Sequence, residues 1–294
     1  MRISFRHLSY ISILFSIFLN SCKNQEANEH YLNASNFFKH ENYEKAILEI
    51  GKATSLDKSN SDYKILNAKI LNANEKFEEA INIILPLLKD GNKLDTLNYL
   101  IGIFYYSKGY YLNKKDPTDI NKVSSYKLAH KYLDISLKIN NLYIDAYEAK
   151  VKTLHNMENY KDALLTSNKA LKLFPDNPKL IYLRGIEKYS LGDNVSALKD
   201  LDYSINSKKL DSSQLCNALR FKADVIHEKF SVNEALPIIN LAILADPKNY
   251  YGYMVRAEYH KEKGNKDLAC KDYRNAADLG LISVYEIIKE YCGN

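Results

Sequence analysis

Alanine recurs along this chain at a near-fixed interval, and the interval decides what the chain can fold into. The stretches "NYEKAILEIGKATSLD" (42–57), "KFEEAINIILPLLKD" (76–90) and "NYKDALLTSNKALKLFP" (159–175) each carry one such alanine. Seven anchors follow in order: Ala46, Ala80, Ala129, Ala163, Ala197, Ala235 and Ala269. Four of the six gaps are 34 residues, and the other two are 49 and 38. A period of this size marks stacked supersecondary units, each too small to bury its own apolar face alone.

The rest of each unit keeps the same register. Twelve residues before the anchor stands a small residue: Ala34, Ala68, Gly185, Ala223 or Ala257. In the third unit it is Gly102, displaced by a 15-residue insertion, and only Val151 departs. Three residues before the anchor comes an aromatic in four units: Tyr43, Phe77, Tyr126 and Tyr160. Apolar residues fall at three- and four-residue spacing, which predicts paired helices. Two helices approach closely only where side chains are small, so the small residue and the anchor alanine mark the crossing. Gly192 and Gly264 supply the turn between the helices, and Pro175 and Pro247 the junction between units.

This period and pattern resemble the tetratricopeptide repeat over about 27–279. Seven units begin near Ala27, Ser61, Asp95, Asn141, Pro178, Cys216 and Tyr250. The resemblance implies an all-α fold: a right-handed α-solenoid of about seven helix-turn-helix units. Residues 280–294 read as a C-terminal capping helix, with Val284, Ile288 and Cys292 on one stripe. The third unit carries "YYLNKKDPTDINKVSS" (110–125), which reads as an insertion looping out between its helices. Pro86 and Pro237 are expected to bend the second helices that contain them.

Residues 1–21 are a different kind of text. Arg2, Arg6 and His7 precede "LSYISILFSIFL" (8–19), and no acid occurs before Glu26. A basic start, a short apolar run and small residues describe an export signal. The ending "LNSC" (19–22) resembles the lipobox of bacterial lipoproteins, matching at Leu19, Ser21 and Cys22. That resemblance implies lipidation of Cys22, a tether at 22–26, and attachment to a membrane through the N-terminal lipid. A plain signal peptide with Cys22 incidental is the other reading. Lys23 after Cys22 points to the outer membrane of the cell envelope. Loss of Arg2 and Arg6 from 41 basic residues leaves 39, against 36 acidic. That balance, with charges scattered, argues against a nucleic-acid partner.

No catalytic set stands out. There is no Gly-rich phosphate loop, no HExxH and no GxSxG. The expectation is a non-enzymatic protein without cofactor or metal. His155 and His227 take the same position two units apart, so a pocket or metal pair is conceivable, though solvated groove residues explain them as well. Cys270 and Cys292 would lie level on antiparallel helices in an oxidising compartment, which allows a disulfide; two buried free thiols is the alternative.

In tetratricopeptide arrays the first helices line a concave surface. Carried over by register, groove positions lie 15, 11 and 8 residues before each anchor. They include Tyr31, Phe38, Ile65, Lys69, Tyr99, Ile103, Tyr106, Lys152, Tyr182, Ile186, Tyr189 and Arg220. The paired Lys, Arg and Asn with which some members clamp a peptide carboxylate are absent. A Tyr-lined groove suits a protein or peptide partner with apolar anchors. Otherwise these tyrosines pack against neighbouring units. The implied function is a lipid-anchored scaffold at the cell envelope, or an assembly or chaperone factor that holds client chains transiently.

Overall fold

The computed structural model describes residues 23–293; the export signal expected at 1–21 and the lipidation expected at Cys22 lie outside the described residues. The described residues form helices and turns without a strand. The described residues divide into two compact bodies, 23–104 and 105–293.

The first body contains α1 (23–39), α2 (Tyr43–Leu56), α3 (Ser61–Ala73) and α4 (Phe77–Ile84). It also holds the first half of α5 (Leu94–Lys115). Residues 23–26, expected to be tether, are already helical. Ala27, Ala34, Ala46, Ile50 and Ala53 form its core with Ile70 of α3. Pro86 is the second residue of the tight helical turn Leu85–Asp90 that follows α4, so α4 ends before it where a bend within the helix was expected.

The second body continues with α6 (Asn121–Ile139), α7 (Ile144–Asn156), α8 (Tyr160–Leu173), α9 (Pro178–Ser190) and α10 (Asn194–Asn206). It closes with α11 (Ser212–Lys229), α12 (Val232–Ala245), α13 (Tyr250–Glu262) and α14 (Lys266–Asp278). From α6 onward each helix packs on the next, and α7, α9, α11 and α13 also touch in sequence. This is a stack of helix hairpins, the fold class that the alanine interval predicts. Pro237 lies inside α12.

The seven anchor alanines are fully buried, at 0% exposure. The steric reason is clearest between α9 and α10. A methyl added at Gly185 would lie 3.1 Å from Asp200 Cβ and Leu201 Cγ, and 3.3 Å from the Ala197 carbonyl oxygen. In the third pair the close approach falls at Gly109, one helical stretch beyond Gly102. A methyl there would sit 2.8 Å from the ring of Tyr126, itself fully buried.

That shift corrects the reading of 110–125. Residues up to Lys115 prolong α5, and Asn121 already opens α6. Only 116–120 turn the chain, held by Asp116, whose carboxylate accepts from Thr118 N at 2.8 Å and Thr118 Oγ1 at 2.7 Å. The insertion therefore lengthens both helices of the third pair. Tyr126 lies within α6, where Tyr43, Phe77 and Tyr160 open their helices.

Asparagine recurs at the helix starts for a local reason. The side chains of Asn42, Asn60, Asn159, Asn177 and Asn249 each accept from a backbone N–H of the helix that follows. Asp211 and Gln214 make a reciprocal capping box on α11. Each cap satisfies a donor the helix cannot, worth about 1 kcal/mol.

In five of the seven hairpins the turn has left-handed backbone five residues before the anchor; Ser124 lies inside α6 and Phe230 has a φ of −129°. Gly192 and Gly264 supply the left-handed turn, with φ of 83° and 74°. Glu41, Glu75 and Glu158 hold the same position at 58°, 61° and 58°, where a side chain crowds the backbone. Glu75→Gly and Glu158→Gly are each expected to raise the unfolding free energy by about 0.5–1 kcal/mol in urea denaturation. A loss of stability in both would show that the glutamate side chains hold the turns.

Beyond α14 the chain makes three short helical turns, Ile282–Val284, Tyr285–Ile287 and Ile288–Cys292. Leu281 and Val284 are buried against Tyr273, Ala276 and Ala277, with Ile288 and Cys292 alongside. Cys270 and Cys292 form a disulfide, with Cα atoms 5.7 Å apart. Cys216 is a buried free thiol whose pKa burial pushes up to about 11, which makes it a poor nucleophile.

Candidate functional site

The first helices of the second body present one face at three- and four-residue spacing, and a cavity of about 370 Å³ lies along it. α7 contributes Lys152, His155 and Asn156, and α9 contributes Tyr182, Ile186 and Glu187. α11 adds Asn217, Arg220 and Phe221, and Tyr251 comes from the start of α13. The remaining wall is the prolonged end of α5, through Tyr106 and Tyr110.

That wall is fastened at its far side. Tyr106, Tyr110 and Lys114 are spaced by four, hence on one helical face. Tyr110 Oη shares a 2.6 Å hydrogen bond with Tyr250 Oη. The Lys114 ammonium lies 5.2 Å from the Tyr250 ring centre. It also fills the space beside Gly280, where a methyl would come within 2.9 Å. The segment expected to loop out thus crosses to the start of α13.

Charges around the cavity are unevenly partnered. Glu187 is fully buried, and His155 Nδ1 donates to both its oxygens, at 3.1 and 3.2 Å. Burial raises the Glu187 pKa, and the hydrogen bond from His155 pulls it back. Burial likewise raises the pKa of Glu148, offset by Lys152 one turn on. The Arg220 guanidinium lies 3.9 Å over the Phe221 ring and 5.4 Å from that of Tyr251. Its Nη1 reaches Asp224 at 3.4 Å, while Nε is buried without a hydrogen-bond partner. The Lys152 ammonium makes no hydrogen bond or ion pair among the described residues. Burial also pushes the Tyr106 phenol up to about 12, so it stays a neutral donor.

Of the residues placed by register, Tyr106, Lys152, Tyr182, Ile186 and Arg220 meet around this cavity. Tyr189, on the same helix as Tyr182, donates instead to Glu228 at 2.7 Å. The others lie in the first body. There Tyr31 packs on Tyr63 at 5.1 Å, and Phe38 lies 6.2 Å from Tyr43. Ile65 lines a separate hollow of about 320 Å³ with Leu87, Lys93 and Leu97. Lys69 is exposed, and Tyr99 and Ile103 are half-buried. Tyr110, Glu187 and Tyr251 escaped the register argument. Tyr110 sat in the apparent loop, and Glu187 and Tyr251 lie off the three positions counted per unit. His155 and His227 do not pair; His227 binds Glu262 at 2.7 Å. Among the described residues no group of three or more His, Cys, Asp or Glu is placed to hold a metal ion.

No family model matches the chain, and no curated protein is similar to it in sequence. Its fold does have solved counterparts. A tetratricopeptide repeat protein from Parabacteroides merdae superposes with a TM-score of 0.67 at 16% identity, over 91% of this chain and 97% of that one. The human IFIT1 dimer with m7Gppp-AAAA superposes at 0.57 and 15% identity, over 89% of this chain. This chain spans 62% of the length of IFIT1. At such identities the likeness is one of fold, and that fold is the tetratricopeptide repeat.

Proposed function

We propose that this chain, built on the tetratricopeptide-repeat fold, is a non-enzymatic binding scaffold whose working surface is the cavity on α7, α9 and α11. Its partner is a protein or peptide. The observation that carries this reading is convergence. Tyr106, Lys152, Tyr182, Ile186 and Arg220 come from four different helices, and they meet around one cavity. Aromatic area beside polar tips is the composition from which binding anchors are made.

The sequence LNSC at 19–22 supports lipid attachment at Cys22 and a place at the bacterial cell envelope, with Lys23 favouring the outer membrane. Helix begins by residue 23, so a lipid on Cys22 would hold the first body close to the bilayer. Transient holding of client chains is the second reading, and weak capture of many unrelated chains would favour it. Capture from the native envelope with wild type and a Lys152→Gln/Arg220→Gln variant tests the cavity. One partner recovered by the wild type and lost with the variant supports the scaffold; undiminished recovery overturns it. In the same cells, Cys22→Ser should release the protein from the membrane fraction, and retention would refute the lipid.

A further inference from the structure

Charges that look scattered along the chain are sorted by the fold. In the second body α7, α9 and α11 touch in sequence, and α6, α8 and α10 stand behind them as an outer layer. A hollow of about 280 Å³ joins the outer sides of α6 and α8, with His130 and Asp134 on one and Leu165 and Lys169 on the other. On each outer helix, the positions two before the anchor alanine and two, six and nine after it share one face. That face is turned away from the buried alanine. α6 presents Lys127, Lys131, Ile135 and Lys138 there, and α8 presents Lys161, Leu165, Lys169 and Lys172. α10 follows with Val195, Lys199, Tyr203 and Asn206. All but Ile135 are exposed; seven of the twelve are lysine and none is acidic. The repeat itself does not require this, because α2 and α14 carry Glu44, Asp267 and Asp278 at the same positions.

The seven ammonium groups make no hydrogen bond or ion pair among the described residues. Lys131 and Lys169 lie over the rings of Tyr132 and Tyr147, at 5.9 and 6.0 Å. Neighbouring carboxylates already have partners. Asp134 binds Lys150 of α7 at 2.5 Å, and Asp202 binds Lys222 of α11 at 2.6 Å. Asp162 accepts from the Asn159 amide at 2.7 Å. Asp193, beside Lys199, accepts from the Ser196 N–H at 3.1 Å. Between the lysines stand side chains that water disfavours. Leu165 is 65% exposed. α12 continues the row without charge through Pro237, Leu241 and Leu244, and Leu244 is 73% exposed.

We propose that this outer face of the second body docks on a bilayer surface rich in anionic lipid. The lysines meet the headgroups, and Leu165, Tyr203, Leu241 and Leu244 reach between them. Lysine suits this place, since its stem lies along apolar surface while its ammonium stays at headgroup level. The alternative polyanion is nucleic acid. Every cation on the face is lysine, without the planar fork by which arginine grips phosphates and bases, and a polynucleotide leaves the leucines unused. The proposal stands apart from the cavity and from a lipid on Cys22.

Co-sedimentation of the full chain with vesicles tests it, with phosphatidylcholine alone and phosphatidylcholine mixed equally with phosphatidylglycerol. The mixed vesicles should bind at least about a hundredfold tighter, since each lysine near an anionic surface contributes about fivefold. Added salt should shrink that difference. Lys161→Gln/Lys169→Gln/Lys172→Gln should weaken binding to mixed vesicles about a hundredfold. The same change at Lys208, Lys209 and Lys248, exposed in loops, should cost no more than about threefold. Leu165→Ser, which leaves the charge alone, should weaken binding about fivefold. Attachment through residues 8–19 or through a lipid on Cys22 would serve both vesicles alike, so the comparison cancels it. The altered side chains are exposed, and circular dichroism melts check each fold. Lys127→Gln/Lys131→Gln/Lys138→Gln on α6 is the second, independent set. Equal binding to the two vesicles, or equal losses from helix and loop lysines, overturns the proposal. So does a DNA duplex that displaces the vesicles while Leu165→Ser binds them undiminished, which would assign the face to nucleic acid.

Discussion

Ala197→Leu is expected to lower the unfolding free energy by about 3 kcal/mol, the upper range for forcing methylenes into a filled core. Ala197 is fully buried, and its carbonyl oxygen would be 3.3 Å from a methyl on Gly185. The α9 and α10 backbones touch at this point, so a leucine must part the helices or leave its rotamer. Lys199→Leu, on the same helix but exposed, is the control and should change stability by no more than about 0.5 kcal/mol. Chemical denaturation read by circular dichroism compares the two. Equal effects would mean that the anchor alanine is not the crossing point of the hairpin.

Loss of the Cys270–Cys292 disulfide should cost about 3 kcal/mol. The bond closes a loop of 22 residues, and opening it returns chain entropy to the unfolded state. It also holds Leu281 and Val284 over Tyr273, Ala276 and Ala277, which would otherwise meet water. Cys292→Ser should therefore melt the end of the stack first. Hydrogen exchange would report faster opening of α14 than of α9, under conditions where the wild type protects both. Unchanged protection of α14 after reduction would show that apolar packing alone retains the terminal turns.

What could be read from the sequence was what repeats. Alanine at a fixed interval is a steric requirement imposed seven times, so accident averages out, and the hairpins follow from it. The glycine turns were legible for the same reason. What happens once was not. Polar residues around Pro117 look like a loop because Asp116, Pro117 and Asp119 do form a turn; nothing local says that it is only five residues long. The helix runs on to Lys115 because Tyr110 and Lys114 find Tyr250 and the space beside Gly280, a surface 140 residues away from Tyr110. For the same reason half of the cavity was visible and half was not. Lys152, Tyr182 and Arg220 sit at repeating positions. Glu187 and Tyr110 are placed by tertiary contacts that no register counts, and a buried carboxyl such as Glu187 carries no mark of burial in its own neighbourhood.

A row of hairpins that touch only their neighbours can fray from its ends, one repeat at a time. The Tyr110–Tyr250 link, spanning 140 residues of chain, works against that. To peel away, the last hairpins must also let go of a helix near the start of their own body. Cooperativity in this half of the molecule is then set by a long-range tie, formed late because its loop is long and closure is slow. Once formed, the tie couples release of α13 to release of the end of α5.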